Sequence, residues 1–182
     1  IGVELGYFFA AMGTKVTIVQ RNELLVPNED KEVAQKFTQL WKRKYNILTN
    51  TTVNKVSKTG KNILVEAVIN GKVKTIEAEK LLIATGRKPN TDILDVEKTG
   101  VKLSKAGFVI VNKFLETNIN GIYALGDIAG VYQFKHSANL EAEYVTSAVL
   151  GKRRAVDYYP MPHAIFTNPQ IAGVGLTEEE AI

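Results

Sequence analysis

The stretch NINGIYALGDIAG, residues 118–130, runs from a turn into a short apolar segment and stops on a glycine and a carboxylate, Asp127. Read as the end of a buried strand, it takes Asp127 out of water, and a desolvated carboxylate needs a partner. The neighbouring residues offer no obvious one. Other reactive groups are sparse. There is no cysteine, which excludes disulfides and thiolate metal sites within these residues. With only His136 and His163, a histidine metal cluster is not expected either. A second position with chemical content is the pair Gln20-Arg21, which closes the apolar run TKVTIVQ. An amide there can bond a hydroxyl without repelling a phosphate, and an adjacent guanidinium can pair with one. The plainer reading of Arg21, a solvated charge at a strand end, stays open beside it.

Several elements have to position these groups. IGVELGYFFAAMG is small and apolar and reads as a helix closed by Gly13. TKVTIVQ reads as a buried, β-branched strand. NEDKEVAQKFTQLWKRKY places Val33, Phe37, Leu40 and Trp41 at helical spacing, behind Asn28 or Asp30 as cap. Trp41 and the tyrosines are expected in core or rim packing. NTTVNKVSK, NILVEAVI and KVKTIEAE read as strands, the last two joined by the hairpin signal Asn70-Gly71. KLLIAT is predicted as a fully apolar strand running into the turn GRKPN, with a domain boundary at Pro89. Short strands GFVIVN and GIYALG follow, then a helix, SANLEAEYVTSAVL, ended by Gly151. YYPMPHAIFTNPQIAGVGL starts a third unit.

Helix, strand, helix, hairpin and returning strand predict an α/β nucleotide-binding layer. In such a layer the last glycine of G-x-G-x-x-G lets the helix pack closely on its strand, with the helix N-terminus facing the pyrophosphate. Of the three, only the last could be present here, as Gly2, with Gly6 one turn further along. An NAD site favours a carboxylate at the end of the next strand. Gln20-Arg21 in its place favours NADPH over NADH.

The chain has 182 residues, 45% hydrophobic and 23% charged, which leaves room for one large domain or two small ones. The net charge is +4, and the basic runs Lys42-Arg43-Lys44 and Lys152-Arg153-Arg154 are short enough to be solvated helix ends. No nucleic-acid partner is expected. No apolar stretch is long enough to cross a bilayer and no signal-peptide pattern is present, so no membrane role is expected and cytoplasm is the default. The chain opens on Ile1, already inside a helical pattern and without an initiator methionine, and reads as an internal piece of something longer.

Five stretches in order, IGVELG…VTIVQR, LLIATGRKPNT, TNINGIYALGDIAG, FKHSANLEAE and PHAIFTNPQIAGVGLTEEEA, resemble the pyridine nucleotide–disulfide oxidoreductases. The likeness is to the dihydrolipoamide dehydrogenase, glutathione reductase and mycothione reductase type, and covers essentially the whole chain. It implies an α/β fold in three parts. Residues 1–87 would be a Rossmann-like NAD(P)-binding domain lacking its first strand, and residues 88–157 the returning segment of an FAD-binding domain. Residues 158–182 would begin an α+β dimer-interface domain, so a homodimer is expected.

For the site, the resemblance implies that Asp127 bonds a hydroxyl of the FAD ribityl chain, with Gly126 allowing close backbone approach. Gln133, Phe134, Lys135 and His136 would lie along the isoalloxazine ring, where a helix beginning near His136 aims its positive end. His136 as a mere helix cap remains the alternative, and His163 is expected to be structural. The NAD(P) contacts would be Ile1, Gly2 and Glu4 at the pyrophosphate helix, Gln20 or Arg21 at the adenosine ribose, Val53 beside the adenine and Gly86 near the nicotinamide ribose. Glu4 is expected towards the nicotinamide; on bare physics it favours only its own helix N-terminus. The implied activity is hydride exchange between nicotinamide and flavin, with electrons passed to or from a small disulfide, dithiol or lipoyl group. No catalytic residue is assigned within the chain, because the family's cysteine pair and acid–base histidine would lie outside it. Mercuric reductase-like chemistry, a flavin oxidoreductase without a cysteine pair (oxygen, quinone or transhydrogenase chemistry) and a non-catalytic nucleotide-binding module are the alternatives.

Overall fold

The computed structural model describes residues 1–69 and 71–182, so Asn70 of the hairpin signal lies outside the described residues. The chain divides into two compact units, Ile1–Thr85 with Pro162–Ile182, and Gly86–Met161.

In the first unit, helix α1 (Gly2–Ala11) leads into strand β1 (Thr17–Val19), then helix α2 (Lys31–Lys44) and strand β2 (Asn46–Leu48). β1 and β2 pair in parallel, Ile18 opposite Ile47, so α2 is the crossover between them. Asp30 caps α2 by accepting from the Glu32 N–H at 3.1 Å, and Lys42, Arg43 and Lys44 complement the negative end of the helix. The buried stripe is Ala34, Phe37, Thr38 and Trp41. Val33 is exposed, which corrects the sequence-based stripe by one position and puts Thr38 inside. Its hydroxyl is satisfied there, donating to the Ala34 carbonyl at 2.7 Å and accepting from the Leu25 N–H at 2.9 Å. Trp41 is fully buried between Phe37 and Tyr45, each ring centroid 4.8 Å from its own, and Leu25 completes the core around it.

Strands β3 (Thr51–Thr59), β4 (Asn62–Ile69) and β5 (Lys72–Ala78) form an antiparallel sheet with β4 central. Ile69 faces Lys72, a two-residue connection in which Gly71 takes a positive φ of 74°. A bulge interrupts β3 between Val53 and Lys55.

KLLIAT is not a strand. Leu81, Leu82 and Ile83 are exposed, and no strand among the described residues pairs with them. An apolar segment becomes a strand only through a neighbour that takes its N–H and C=O groups. TKVTIVQ is likewise shorter than expected and half-buried.

The tail does not stand apart. Strands β6 (Pro162–Ile165) and β7 (Ile171–Val174) form a hairpin, followed by the one-turn helix α4 (Glu178–Ala181). Two strands cannot bury an apolar face alone, and here Ile171 joins the Leu25, Phe37 and Trp41 cluster. His163 Nε2 lies 2.9 Å from Glu29, and the Glu178 N–H donates to the second oxygen of Asp30.

The second unit holds one long helix, α3 (Lys135–Val149), closed at Gly151 with φ +81°. GFVIVN and GIYALG, expected as strands, make single bridges only, Leu103 with Val109 and Glu116 with Tyr123. Their backbone bonds are scattered over several partners: the Val109 N–H reaches the Ile128 carbonyl, the Ile110 N–H that of Lys102, the Asn112 N–H that of Glu116 and the Ala124 N–H that of Leu115. Val96, Val101 and Val109 form the core of this unit.

Candidate functional site

In the second unit the Gly126–Ile128 segment is a single 3₁₀ turn. Asp127 is therefore not a buried strand end. Its side chain is 65% exposed and stands 3.8 Å from Arg87 Nη1, a surface pair of little energetic weight. Gly126 adopts φ +71°, a left-handed conformation that glycine enters without strain. A Cβ on Gly126 would meet that of Ala138 in α3 at 3.4 Å, so the glycine also lets the turn sit against the helix.

The carboxylate that did leave solvent is Glu141, fully buried on α3. It accepts from the Gly126 N–H and, at 2.7 Å, from the Tyr158 hydroxyl. Burial first, then the bond to Glu141 and its charge, push the Tyr158 phenol well above its ordinary pKa, so it stays a neutral donor. Arg87 donates to the Gln133 carbonyl at 2.7 Å, tying the start of α3 to the same turn. Phe134 and His136 stack at 5.2 Å and 7°, and Tyr132 stacks on Phe134 at 6.3 Å. Asp127, Gln133, Phe134, Lys135 and His136 thus collect around the N-terminal end of α3, most of them exposed. Glu141, Tyr158 and Arg87 were missed by sequence reading. One signal was available for Glu141: it falls one helical turn after Ser137, on the face that is buried.

In the first unit the glycines divide their work. Gly6 is the close-packing residue, with Ile18 3.3 Å from where its Cβ would be, and Gly2 lies against Ala84 at 3.5 Å. Close packing on the strand thus falls to Gly6, where the fingerprint assigned it to Gly2. Glu4 accepts from the Phe166 N–H at 3.2 Å.

Gln20 ends β1 with its backbone shared, its N–H donating to Leu48 and its carbonyl accepting from Thr51. Its side-chain amide reaches the Leu24 carbonyl at 3.4 Å. Arg21 is exposed beside it, and Val53 is exposed two residues beyond Thr51. The structure brings Gln20, Arg21 and Val53 to one end of β1, while Ile1, Gly2 and Glu4 start α1. Gly86, with φ +140° and open space where a Cβ would stand, is the first residue of the other unit.

A recess of about 240 Å³ in the first unit is bordered by Glu23, Glu29, Glu179 and Lys31. Its excess of carboxylates is wrong for a phosphate, which separates it from the Gln20-Arg21 position.

The residues present fit the groups that the resemblance implies. An exposed carboxylate, 3.8 Å from Arg87 and able to accept from a hydroxyl, sits beside a helix N-terminus on a glycine turn packed closely against that helix. In the other unit an exposed guanidinium flanks an amide at the end of the first parallel strand. Among the described residues there is no cluster of histidine or carboxylate side chains able to hold a metal ion, and no helix is long and apolar enough to cross a membrane.

Comparison with known proteins places the chain in context. The family model for pyridine nucleotide-disulphide oxidoreductases matches residues 1–142. A mercuric reductase of Staphylococcus aureus is 42% identical over the full length of this chain, which spans 34% of that protein. A dihydrolipoyl dehydrogenase of Buchnera aphidicola is 36% identical, again across the whole chain and 38% of the relative. Among solved structures, the HOCl-induced flavoprotein disulfide reductase RclA from Escherichia coli superposes with a TM-score of 0.87 at 31% identity, covering 98% of this chain and 41% of that one. The chain therefore spans a little over a third of the curated relatives it matches.

Proposed function

Since the chain belongs to the pyridine nucleotide-disulphide oxidoreductase family, whose members use FAD and NAD(P)H, we propose that it forms the NAD(P)-binding region and the second FAD-binding segment of a homodimeric, FAD- and NAD(P)-dependent disulfide oxidoreductase. Residues 1–87, 88–157 and 158–182 are assigned to the NAD(P) domain, the FAD segment and the start of the interface domain. The carrying observation is the Gly126-Asp127 turn, with an exposed carboxylate beside the N-terminal end of α3. When bound, the two cofactors supply the hydride transfer and the protein contributes position and electrostatics.

Asp127 accepts from a hydroxyl of the flavin side chain, and Arg87 holds Gln133 so that Gln133, Phe134, Lys135 and His136 border the ring. Ile1, Gly2 and Glu4 line the approach of the pyrophosphate to α1. Gln20 bonds the adenosine ribose, Arg21 takes a 2′-phosphate, Val53 lies beside the adenine, and Gly86 leaves its backbone open to the nicotinamide ribose. The chain carries no cysteine, so the dithiol that exchanges with substrate belongs to another part of the enzyme.

Two substrate readings stand on the relatives named above. Lipoyl disulfide or dithiol is supported by the dihydrolipoyl dehydrogenase at 36% identity, and mercuric ion by the mercuric reductase at 42%. The deciding experiment uses the full-length enzyme. NADPH added without oxygen should bleach the flavin, and colour should return with the true acceptor, either a lipoyl disulfide or Hg(II) with thiol. A colourless protein, or one that NAD(P)H does not bleach, contradicts the reading.

A further inference from the structure

Glu141 has no part in the contacts assigned above, yet it is one of two polar side chains of α3 that are completely buried. A lone buried carboxylate is costly unless its oxygens are bonded. Both are: one takes the Gly126 N–H, fifteen residues upstream, and the other the Tyr158 hydroxyl, seventeen residues downstream, at 2.7 Å. The second buried polar group, Ser137, donates to the Phe134 carbonyl at 2.7 Å and contacts the Tyr132 carbonyl at 3.1 Å, fixing the residues that enter the helix. Tyr158 in turn packs its ring on Tyr132 at 5.3 Å, and Tyr132 stacks on Phe134. One carboxylate thus joins the residue before Asp127 to the aromatic face at the start of α3.

We propose that Glu141 is a positioning residue for the flavin, setting the Gly126-Asp127 turn and, through Tyr158, the Tyr132-Phe134-His136 face as one unit. The proposal rests on FAD lying against that turn. Its physical content is that Glu141 is fully buried and bonded on both oxygens, whereas Asp127 and His136 are exposed at the surface of the same turn and helix start. Removing the carboxylate leaves the Gly126 N–H and the Tyr158 hydroxyl without an acceptor inside the protein. The turn is then free to rotate away from the place where Asp127 meets a hydroxyl.

The test compares Glu141→Leu, Glu141→Gln and Tyr158→Phe in the full-length protein, measuring the FAD dissociation constant and the visible absorption band at FAD saturation. Glu141→Leu is expected to weaken FAD by about tenfold or more, because the buried Gly126 N–H and the half-buried Tyr158 hydroxyl lose their acceptor. Glu141→Gln keeps an acceptor for Gly126 and should come within about threefold of wild type, the rescue that a general loss of stability would not give. Tyr158→Phe should weaken FAD by about threefold and shift the band even at saturation, where affinity no longer matters. That variant and Glu141→Gln decide the matter if Glu141→Leu does not fold. Unchanged affinity and band in Tyr158→Phe, or equal losses in the glutamine and leucine variants, would overturn the proposal while wild type still holds FAD. A wild-type protein without FAD overturns the functional reading beneath it instead.

Discussion

Under the proposed function, cofactor choice turns on Arg21 and Gln20. If the guanidinium meets a 2′-phosphate, Arg21→Glu removes a charge-assisted bond and adds repulsion, and NADPH should weaken by about tenfold or more while NADH changes by less than about twofold. Binding titrations with both dinucleotides check this, and equal losses refute the assignment. The position of this pair, directly after β1, was legible in the sequence because it closes a β-branched run. The state of Asp127 was not, since the turn that carries it depends on Gly126 taking a positive φ against α3. A second single-residue expectation concerns Glu116. Two hydrogen bonds from Arg153 and one from Asn112 hold its carboxyl down at about 2, from an ordinary 4.5. Its folded pKa is depressed, so its contribution to stability is present above about 4.5 and is lost as pH falls towards about 2. Unfolding followed from pH 6 to 2 should show Glu116→Gln less pH-dependent than wild type; parallel curves would contradict the pairing.

Among the elements, α2 carries most of the first unit's core. Trp41→Ala should cost about 3–5 kcal/mol, because the ring fills the space between Phe37, Tyr45 and Leu25. Denaturant unfolding checks this, and a loss below about 1 kcal/mol would mean that the cluster does not hold the unit together. Elements with their own capping and periodicity could be read directly: Asp30 before α2, Gly151 after α3, and the β4–β5 connection at Gly71. Elements that exist only through a partner could not. Leu81 to Ala84 has the composition of a core strand, but nothing among the described residues pairs with it. GFVIVN and GIYALG alternate correctly, yet their hydrogen bonds are scattered over several partners and build single bridges only. The burial of Glu141 depends on α3 lying against the Gly126 turn, a contact between residues fifteen apart in the chain.

At the scale of the molecule, the two units divide the proposed labour, nucleotide on one and flavin on the other. The mercuric reductase and dihydrolipoyl dehydrogenase relatives share this region at 42% and 36% identity. Likeness over this region therefore does not by itself decide between the two substrate readings proposed. Residues 1–182 contain no cysteine, so this chain by itself should consume no NAD(P)H with lipoyl disulfide or Hg(II), as a simple absorbance assay will read. Asp127→Ala in the full-length enzyme is the most direct trial of the whole account. Removing that carboxylate should strip most of the flavin during purification while the protein stays folded. A variant that keeps its full complement of FAD would show that the Gly126-Asp127 turn is not where the flavin is held.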